Sequence, residues 1–437
     1  MQESYLIWGG TLFMALIIIF PFIRAHHKTL KKDEARKKEA VFLGADKTIA
    51  QHPIIDEYRC IGCGACVDAC PENDVLGIVA GKATIINGLK CVGHGMCAEA
   101  CPVEGITVGL GDTSKRSDLP FIRENRETNL PRVYIAGELG GLALIKNAIR
   151  QGREVALDIA ERIKKNPDIP ASDNAVDVII VGAGPSGMSA ALTAIENNLT
   201  YRLLDQQDPG GTILQYPRKK LVMTKPVTIP FYGTLTKPEY SKEELLDIWY
   251  AVMDKSGLKV ETGCKLTGLQ EEGAYYRVTT NNGSFKSRYV VLALGRRGTP
   301  RKLGVPGEDK PKVMYKLIDA ETFTDNHILV VGGGDSAVEA AMGLARQKGN
   351  RVVLSYRKEK FFRIKRRNQE RLEAMIHDKK IMVLYNSHLR RIDDSAVVVE
   401  WMGEKKKIRN DYVFIFAGGE PPFELLKQCG IQFGTTD

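Results

Sequence analysis

Cysteine is nearly absent from most of this chain of 437 residues. Seven of the nine cysteines lie between residues 60 and 101, which leaves Cys264 and Cys429 as isolated positions. The chain therefore has no Cys-x-x-Cys pair after residue 101, which argues against a dithiol–disulfide centre in its larger part. We expect Cys264 and Cys429 to be packing residues, because isolated cysteines behave as small apolar side chains.

Charge is absent from the segment Tyr5–Ile23. About 19 residues at about 1.5 Å each span roughly 28 Å, which is close to the hydrocarbon thickness of a bilayer. A cleaved signal peptide would require positive charge before the apolar run and a small-residue cleavage site after it, and the sequence has neither. We therefore expect a transmembrane helix within residues 1–25.

Basic residues follow the uncharged segment: Arg24, Lys28, Lys31, Lys32, Arg36, Lys37 and Lys38. By the positive-inside rule, this is a single-pass protein of the inner (cytoplasmic) membrane with its bulk on the cytoplasmic side. The alternating charges of residues 26–50 predict a helical connector that has no apolar stripe along one face. The formal net charge is +9, but the sequence shows no nucleic-acid-binding module, so we expect no nucleic-acid partner.

Two similar runs contain the seven clustered cysteines: Cys60-x2-Cys63-x2-Cys66-x3-Cys70-Pro71 and Cys91-x2-His94-x2-Cys97-x3-Cys101-Pro102. The first run has the ligand spacing of bacterial ferredoxins, and the second repeats it with one histidine. Residues 51–112 thus resemble a two-cluster bacterial ferredoxin domain. A disulfide framework is disfavoured, because cysteines so close on one loop do not form one.

The resemblance implies the ligands of two 4Fe–4S clusters. Since the fourth cysteine of each run ligates the other cluster in that family, one cluster would be held by Cys60, Cys63, Cys66 and Cys101, and the other by Cys91, His94, Cys97 and Cys70. His94 stands where the family has a cysteine. It either ligates iron or lies beside a 3Fe–4S cluster that three cysteines hold.

A glycine fingerprint follows the apolar run Asp177–Val181. Gly182, Gly184 and Gly187 form G-x-G-x-x-G between this predicted strand and a small-residue helix. Such glycines let the backbone approach a pyrophosphate at a helix N-terminus. Asp205 ends the next predicted strand, about 20 residues further on, where a carboxylate binds a ribose. This pattern predicts a dinucleotide site.

A second fingerprint follows the run His327–Val331. Gly332, Gly334 and Ala337 form G-x-G-x-x-A, the NAD(P) variant of the motif. The following strand, Arg351–Leu354, ends without an acid.

From Val178 to about Phe433 the chain resembles the thioredoxin-reductase-like flavoproteins, which carry one FAD domain and one NAD(P)H domain. Further family elements are Gly210-Gly211-Thr212 near the flavin and the strand Val291–Gly295. The resemblance implies FAD at the first fingerprint, with Gly211 and Thr212 beside it. It also implies that Arg357 and Arg363 bind the 2′-phosphate of NADP, so NADPH is favoured over NADH.

The family's last FAD element is missing from the end of the chain and occurs upstream, where Gly137 and Glu138 follow the run Pro131–Ala136. The resemblance places Glu138 where the family's aspartate contacts the flavin. We therefore expect a circularly permuted FAD domain. The alternative is that residues 128–165 form a simple linker helix.

The expected fold is α/β: two Rossmann-like domains of the thioredoxin-reductase type, a small α+β ferredoxin domain and one N-terminal transmembrane helix. The expected parts are a membrane anchor at 1–25, a connector at 26–50, a ferredoxin domain at 51–112, a linker with the permuted FAD element at 113–176, a FAD domain at 177–300, an NAD(P) domain at 301–408 and a return to the FAD domain at 409–437.

The expected function is oxidoreductase electron exchange between NAD(P)H, FAD and two iron–sulfur clusters, in either direction. We expect an oligomer that joins a membrane redox complex with a b-type cytochrome or quinone, although the helix could also serve as a tether alone. One alternative is a thiol–disulfide reductase of the bacillithiol type, whose cysteine slot here is Ser186. Another is an electron-wiring subunit without nicotinamide turnover. Hydride exchange between nicotinamide and flavin requires no catalytic acid or base, so none is assigned.

Overall fold

A computed structural model of the protein divides the chain into two units, Met1–Gly111 and Asp112–Asp437. The structure describes residues 2–48, 51–72, 74–110, 118–142, 144–165, 175–218, 220–223, 226–237, 239–296 and 298–434.

The first unit contains a long helix and a small α+β fold. Its elements are α1 (Gln2–Leu43), β1 (His52–Ile55), α2 (Ala65–Asp68), β2 (Leu76–Val79), β3 (Lys82–Ile85), α3 (Met96–Glu99) and β4 (Ile106–Gly109). Strand β1 pairs with β4, and β2 pairs with β3, both antiparallel. Each short helix begins just after a glycine in the left-handed conformation, which an L-residue with a side chain adopts at a cost.

Helix α1 runs without interruption through the expected boundary between anchor and connector. Its C-terminal half packs on the small fold. Asp33 is 4% exposed and accepts a hydrogen bond from the amide of Ile78 at 2.9 Å, and Arg36 bridges Asp33 and Asp74 at 2.8 and 2.9 Å. Lys37 donates to the carbonyl of Ile85 at 2.6 Å. The expected charged connector is therefore a docked helix. Its contacts include these charged side chains as well as Leu30, which packs against the core of the small fold.

No helix is long and apolar enough to cross a membrane among the side chains that the structure describes. Several side chains of the expected anchor, Tyr5–Ile23, lie outside that description. The described ones include exposed large apolar groups at Trp8, Phe13 and Phe20.

The second unit contains two sheets of the nucleotide-binding type. Its elements are β5 (Val133–Ile135), α4 (Ile145–Lys165), β6 (Ala175–Val181), α5 (Pro185–Glu196), β7 (Tyr201–Leu204), β8 (Leu221–Met223), β9 (Val227–Ile229), β10 (Gly233–Leu235), β11 (Glu239–Ser241), α6 (Lys242–Ser256), β12 (Leu266–Glu272), β13 (Tyr275–Thr280), β14 (Gly283–Leu292), β15 (Thr299–Pro300), β16 (Val313–Met314), β17 (His327–Gly332), α7 (Asp335–Ala345), β18 (Arg351–Ser355), α8 (Arg366–His377), β19 (Ile381–Leu384), β20 (Ser387–Ile392), β21 (Ala396–Trp401), β22 (Glu404–Arg409), β23 (Tyr412–Phe416), β24 (Gly419–Glu420) and α9 (Phe423–Gln428).

The first sheet has the order β12-β13-β14-β6-β7, and β5 also pairs with β14. Strands β5, β14, β6 and β7 are parallel. The continuous apolar run of β6 suits a parallel strand covered on both faces, and residues 178–181 are buried. Strands β12, β13 and β14 form the expected antiparallel meander.

Strand β5 and helix α4 belong to this first sheet and its helical layer. Val133 is in register with Val290, and Ile149, Val155 and Ile159 of α4 pack in the core beside α5. A Cβ atom on Gly152 would lie 2.0 Å from the carbonyl oxygen of Ser186 in α5, so the two helices meet at backbone distance. The alternative of a simple linker helix over residues 128–165 is therefore wrong.

The second sheet is parallel, with the order β16-β23-β17-β18-β19. Strand β23 still pairs with β17, so the chain returns to the first sheet later than the expected residue 409. The return begins with β24, which pairs with β15, and continues into α9, whose Leu426 is fully buried against the first sheet. Strands β20, β21 and β22 form a separate antiparallel sheet.

The contact at Gly152 generates a stability prediction. We expect Gly152→Ala to destabilise the protein by roughly 2 kcal/mol or more, because the added methyl group meets backbone that cannot move aside. The measurement is urea unfolding of the intact protein, followed by circular dichroism.

Gly343→Ala in α7 is the matched control. Its Cβ would have its nearest neighbour at 3.5 Å, so the substitution should stabilise by about 0.5–1 kcal/mol through helix propensity. Equal stabilisation by both substitutions would contradict the packing of α4 on α5.

Candidate iron–sulfur and nucleotide sites

Four cysteines of the first unit surround one cavity of about 310 Å³, open space at its mouth included: Cys60, Cys63, Cys66 and Cys101. These are the four residues assigned to the first cluster from sequence. Two of their sulfur atoms accept hydrogen bonds from backbone amides, Cys60 from Ala83 and Cys101 from Gly105, each at 3.3 Å. Amide hydrogen bonds to sulfur are a regular feature of iron–sulfur sites.

The lining of this cavity suits a cluster better than a single metal ion. Within the described residues, no three Cys, His, Asp or Glu side chains converge closely enough to hold a single metal ion. Four thiols around one cavity suit a 4Fe–4S cube, in which each of the four iron atoms takes one protein ligand. The pKa of Cys66 is raised to about 11, mainly by burial and then by the neighbouring Cys97, Cys60 and Cys63. Because such thiols are protonated at neutral pH, cationic iron is needed to hold them as thiolates.

The second set of thiols is Cys70, Cys91 and Cys97. Burial, and then the charges of Cys70 and Cys97, raise the pKa of Cys91 to about 11. Burial and the neighbouring Cys70 also raise the pKa of Cys97. All three cysteines pack against one buried cluster of the small fold, which includes Cys66, Leu76 and Ile106. His94 is half-buried on the loop between Cys91 and Cys97.

The turn after β6 has the geometry of a pyrophosphate site. A Cβ atom on Gly187 would lie 1.7 Å from the carbonyl oxygen of Gly182, so only glycine permits this approach of helix to strand. A Cβ atom on Gly211 would lie 2.8 Å from the Cα of Gly184. The segment Gly210–Thr212 thus lies directly against the turn, as the family resemblance implied.

Asp205 lies at the end of β7 beside the same turn. Its carboxylate accepts hydrogen bonds from the amides of Ala183 at 2.6 Å and Gln207 at 2.7 Å. Burial raises the pKa of Asp205, although the two amides oppose the shift. The acid is therefore fixed in place next to the turn, where it can meet a ribose.

Gly137, in the loop after β5, meets the glycine turn at α5. A Cβ atom on Gly137 would lie 3.2 Å from the Cβ of Ser186, and the Gly137 amide donates to Gln151 at 2.8 Å. Glu138 is the exposed residue that follows. Three segments distant in sequence thus converge around one helix N-terminus.

Two buried polar atoms at this convergence have no hydrogen-bond partner among the described residues: the Ser186 hydroxyl oxygen and the Gln151 side-chain nitrogen. A buried polar group without a partner costs free energy that a polar ligand would recover. The glycine turn, the unpaired polar atoms and Asp205 together fit FAD. The role of Gln151 in this site was not predicted from sequence. The one indication is that a polar amide side chain stands among the buried residues of α4.

The turn after β17 repeats the arrangement in the second sheet. Gly332 and Gly334 precede α7, and Ala337 is fully buried under the turn. A Cβ atom on Gly333 would lie 1.8 Å from the ring of Tyr356. Tyr356 therefore forms the wall of the turn, a role that no motif had marked.

Arg357 and Arg363 are exposed and follow β18. Burial raises the pKa of the Tyr356 hydroxyl, and the positive charges of Arg363 and Arg357 lower it. Both arginines lie on the segment that follows β18, after Tyr356, which forms the wall of the second glycine turn. Ser355 is directed away, since its hydroxyl contacts that of Ser387 at 2.7 Å in the interior.

Cys264 and Cys429 are 5% and 6% exposed. Burial raises the pKa of Cys429. The structure confirms that both are buried packing residues. The amide of Cys264 donates to the carbonyl of Asp205 at 2.8 Å, so this cysteine lies close to the first glycine turn.

Each of the two sheets has a glycine turn of the nucleotide-binding type after a parallel strand. Together with a cavity lined by four thiols, these turns define a flavin oxidoreductase with an iron–sulfur domain. The family model of pyridine nucleotide-disulphide oxidoreductases matches residues 179–437, and that of 4Fe-4S dicluster domains matches residues 52–102. The first match covers more than half of the chain, which belongs to the pyridine nucleotide-disulphide oxidoreductase family. FAD and NAD(P)H are the cofactors that this family implies.

Similar proteins include a ferredoxin–NADP reductase of Ignicoccus hospitalis, 29% identical over 266 residues, which are 58% of this chain and 81% of the relative. A thioredoxin reductase of Bacillus subtilis is 30% identical over 266 residues, 57% of this chain and 77% of the relative. The bacillithiol disulfide reductase Bdr of Staphylococcus aureus has a similar fold, with a TM-score of 0.54 and 27% identity over 60% of this chain and 83% of its own.

The unpaired Ser186 hydroxyl generates a binding prediction. We expect Ser186→Ala to leave protein stability nearly unchanged and to weaken FAD binding roughly 5- to 30-fold, since about 1–2 kcal/mol of hydrogen bonding to the ligand is lost. Titration of the apoprotein with FAD, followed by quenching of flavin fluorescence, measures this.

Ser189→Ala, one turn further along α5, is the control. Its hydroxyl donates to the carbonyl of Ile149 at 2.8 Å, so this variant should lose about 1 kcal/mol of stability and keep its affinity for FAD. An unchanged affinity in Ser186→Ala would show that this hydroxyl does not face the ligand.

Proposed function

We propose that this chain exchanges electrons between NAD(P)H, FAD and two iron–sulfur clusters. The observation that carries the proposal is the cavity with four thiols in a chain that also has two nucleotide turns. The ferredoxin–NADP reductase among the similar proteins supports the same pairing of nicotinamide with iron–sulfur chemistry. When bound, the flavin connects two-electron hydride chemistry with the one-electron chemistry of the clusters.

The residues of the chain supply binding and placement. Gly182, Gly184 and Gly187 form the turn for the FAD pyrophosphate, Asp205 is placed for the ribose, and Gly137 with Glu138 approaches the same helix N-terminus from the displaced element. We interpret this element as the result of a circular permutation. Its strand and helix complete the first sheet, and they lie outside the residues 179–437 that match the family.

We also propose NADPH as the preferred nicotinamide. Arg357 and Arg363 are exposed and follow β18, and the strand ends in Ser355, whose buried hydroxyl contacts Ser387. Two exposed guanidinium groups favour a 2′-phosphate, and the strand itself ends in Ser355 and not in an acid.

A membrane location is a further part of the proposal. It is supported by the uncharged segment Tyr5–Ile23, by the basic residues after it and by the exposed apolar side chains Trp8, Phe13 and Phe20. We propose a single pass through the cytoplasmic membrane, with a redox complex that contains a b-type cytochrome or quinone as the partner. If the protein leaves the membrane fraction with salt alone, the anchor is contradicted. Subunits that co-purify in mild detergent would identify the partner.

Thiol–disulfide exchange is the less favoured alternative, although the relatives include thioredoxin and bacillithiol disulfide reductases. The two cysteines of the second unit are buried on different elements, Cys264 beside Asp205 and Cys429 after α9, and Ser186 occupies the position of the bacillithiol-type cysteine. No described thiol pair of this unit can therefore exchange with a substrate disulfide at the flavin.

The proposed function predicts the behaviour of two double variants under anaerobic conditions. Cys60→Ala with Cys66→Ala should still allow NADPH to bleach the flavin, but electron delivery to a one-electron acceptor should fall at least about tenfold, since two ligands of the cavity are lost. Cys264→Ala with Cys429→Ala should keep both activities. Stopped-flow absorbance follows the flavin, and acceptor reduction follows the second step.

Absence of bleaching by NADPH and by NADH in the unmodified protein would overturn the enzyme proposal and favour an electron-wiring subunit. Loss of turnover in the Cys264 and Cys429 variant, with normal unfolding, would favour the thiol mechanism.

The nicotinamide preference has its own test. We expect Arg357→Ala with Arg363→Ala to raise the KM for NADPH about tenfold or more and to leave that for NADH within about twofold, because the lost contacts are to the 2′-phosphate. Arg371→Ala, an exposed arginine of α8, is the control and should change neither value. Equal effects on the two nucleotides would contradict the role of Arg357 and Arg363.

A further inference from the structure

We propose that His94 is an iron ligand of the second cluster, in the position that Cys63 occupies for the first. The inference rests on the proposed presence of two clusters and adds the identity of one ligand. Its basis is the equivalence of two loops in the first unit, together with the number of thiols available to each cluster.

The two ligand loops have the same backbone conformation. Gly64, after Cys63, has φ 82° and ψ −7°, and Gly95, after His94, has φ 88° and ψ −6°. The glycines before the two positions also match, with φ 69° at Gly62 and φ 72° at Gly93. A residue between two glycines of matching conformation leaves the loop in the same direction, so His94 and Cys63 start from equivalent positions.

The helices that follow extend the equivalence. The amide of Val67 donates to Gly64 at 2.8 Å and that of Ala98 to Gly95 at 3.0 Å. The amides of the last ligands then donate one turn back, Cys70 to Val67 and Cys101 to Ala98, both at 3.2 Å. The correspondence thus runs from the first to the fourth ligand position of each loop.

Each loop is also fixed from outside. A Cβ atom on Gly62 would lie 2.2 Å from the carbonyl oxygen of Gly81, and one on Gly93 would lie 2.0 Å from the side chain of Gln51. Gln51 is buried, and its amide donates to the Gly93 carbonyl at 2.8 Å. The second loop therefore has its own support, which keeps the backbone at His94 in place.

The count of thiols leaves one position open at the second cluster. Cys60, Cys63, Cys66 and Cys101 line the first cavity, which leaves Cys70, Cys91 and Cys97 as the other cysteines of the first unit. The remaining cysteines, Cys264 and Cys429, belong to the other unit. A cube with four irons thus requires a ligand other than cysteine.

Glu72 is the rival ligand. It is buried, and its charge acts on Cys91. It follows the fourth position of the first loop, however, whereas His94 occupies a regular ligand position of the second loop. A neutral imidazole in place of a thiolate removes one negative charge from the cluster, which raises its potential relative to a four-cysteine site. We therefore expect the second cluster to have a higher potential than it would have with a cysteine at position 94.

The test uses the full chain, purified anaerobically and labelled with ¹⁵N-histidine. Pulsed EPR of the reduced protein should show a nitrogen coupling to one cluster. His94→Cys should abolish the coupling, keep four irons at the second site and lower the midpoint potential of that cluster alone. His94→Ala should give the EPR signal of an oxidised three-iron cluster. Cys63→His is the matched exchange in the first loop and should raise the other potential.

Three results would overturn the ligand assignment: no nitrogen coupling, a three-iron signal already present in the unmodified protein, or unchanged potentials in His94→Cys. Loss of the fourth iron in Glu72→Gln, with the nitrogen coupling absent, would assign the position to Glu72. Dithionite serves as the reductant, so the result does not depend on nicotinamide turnover. A protein without bound iron and sulfide would instead contradict the proposed function itself.

Discussion

Close approach of one backbone segment to another is the constraint on which every site in this protein depends. A single added carbon at Gly187 would lie 1.7 Å from the carbonyl of Gly182, and one at Gly62 would lie 2.2 Å from that of Gly81. The first contact shapes a nucleotide turn and the second a cluster loop. Ligands that are held largely by backbone amides need such approaches, and only glycine permits them.

The motifs that specify a backbone shape could be predicted from sequence. Gly182, Gly184 and Gly187 take the strand–turn–helix position expected of them, and the cysteines at 60, 63, 66 and 101 surround one cavity although the last is far along the chain. The position of the displaced strand could also be anticipated, because its apolar run and glycine resemble a family element. In each of these cases spacing along the chain corresponds directly to local geometry.

The features that escaped prediction depend on contacts between distant segments. Ser186 and Gln151 become partners of one site only because α4 packs on α5. Tyr356 becomes the wall of the second turn because β18 lies beside β17. The docking of α1 relies on Asp33 and Arg36, whose partners lie some 40 residues further along the chain. A helix that docks through charged side chains has the same sequence pattern as a helix exposed to solvent.

That docking has a mechanical consequence. Helix α1 is continuous through residue 43, and its charged half is tied to the small fold by a buried carboxylate. The charged half of the helix and the small fold therefore turn together. If the uncharged half is fixed in a bilayer, a tilt of the charged half reorients the cluster loops, and Pro21 is the point of the helix at which the two halves can bend relative to each other.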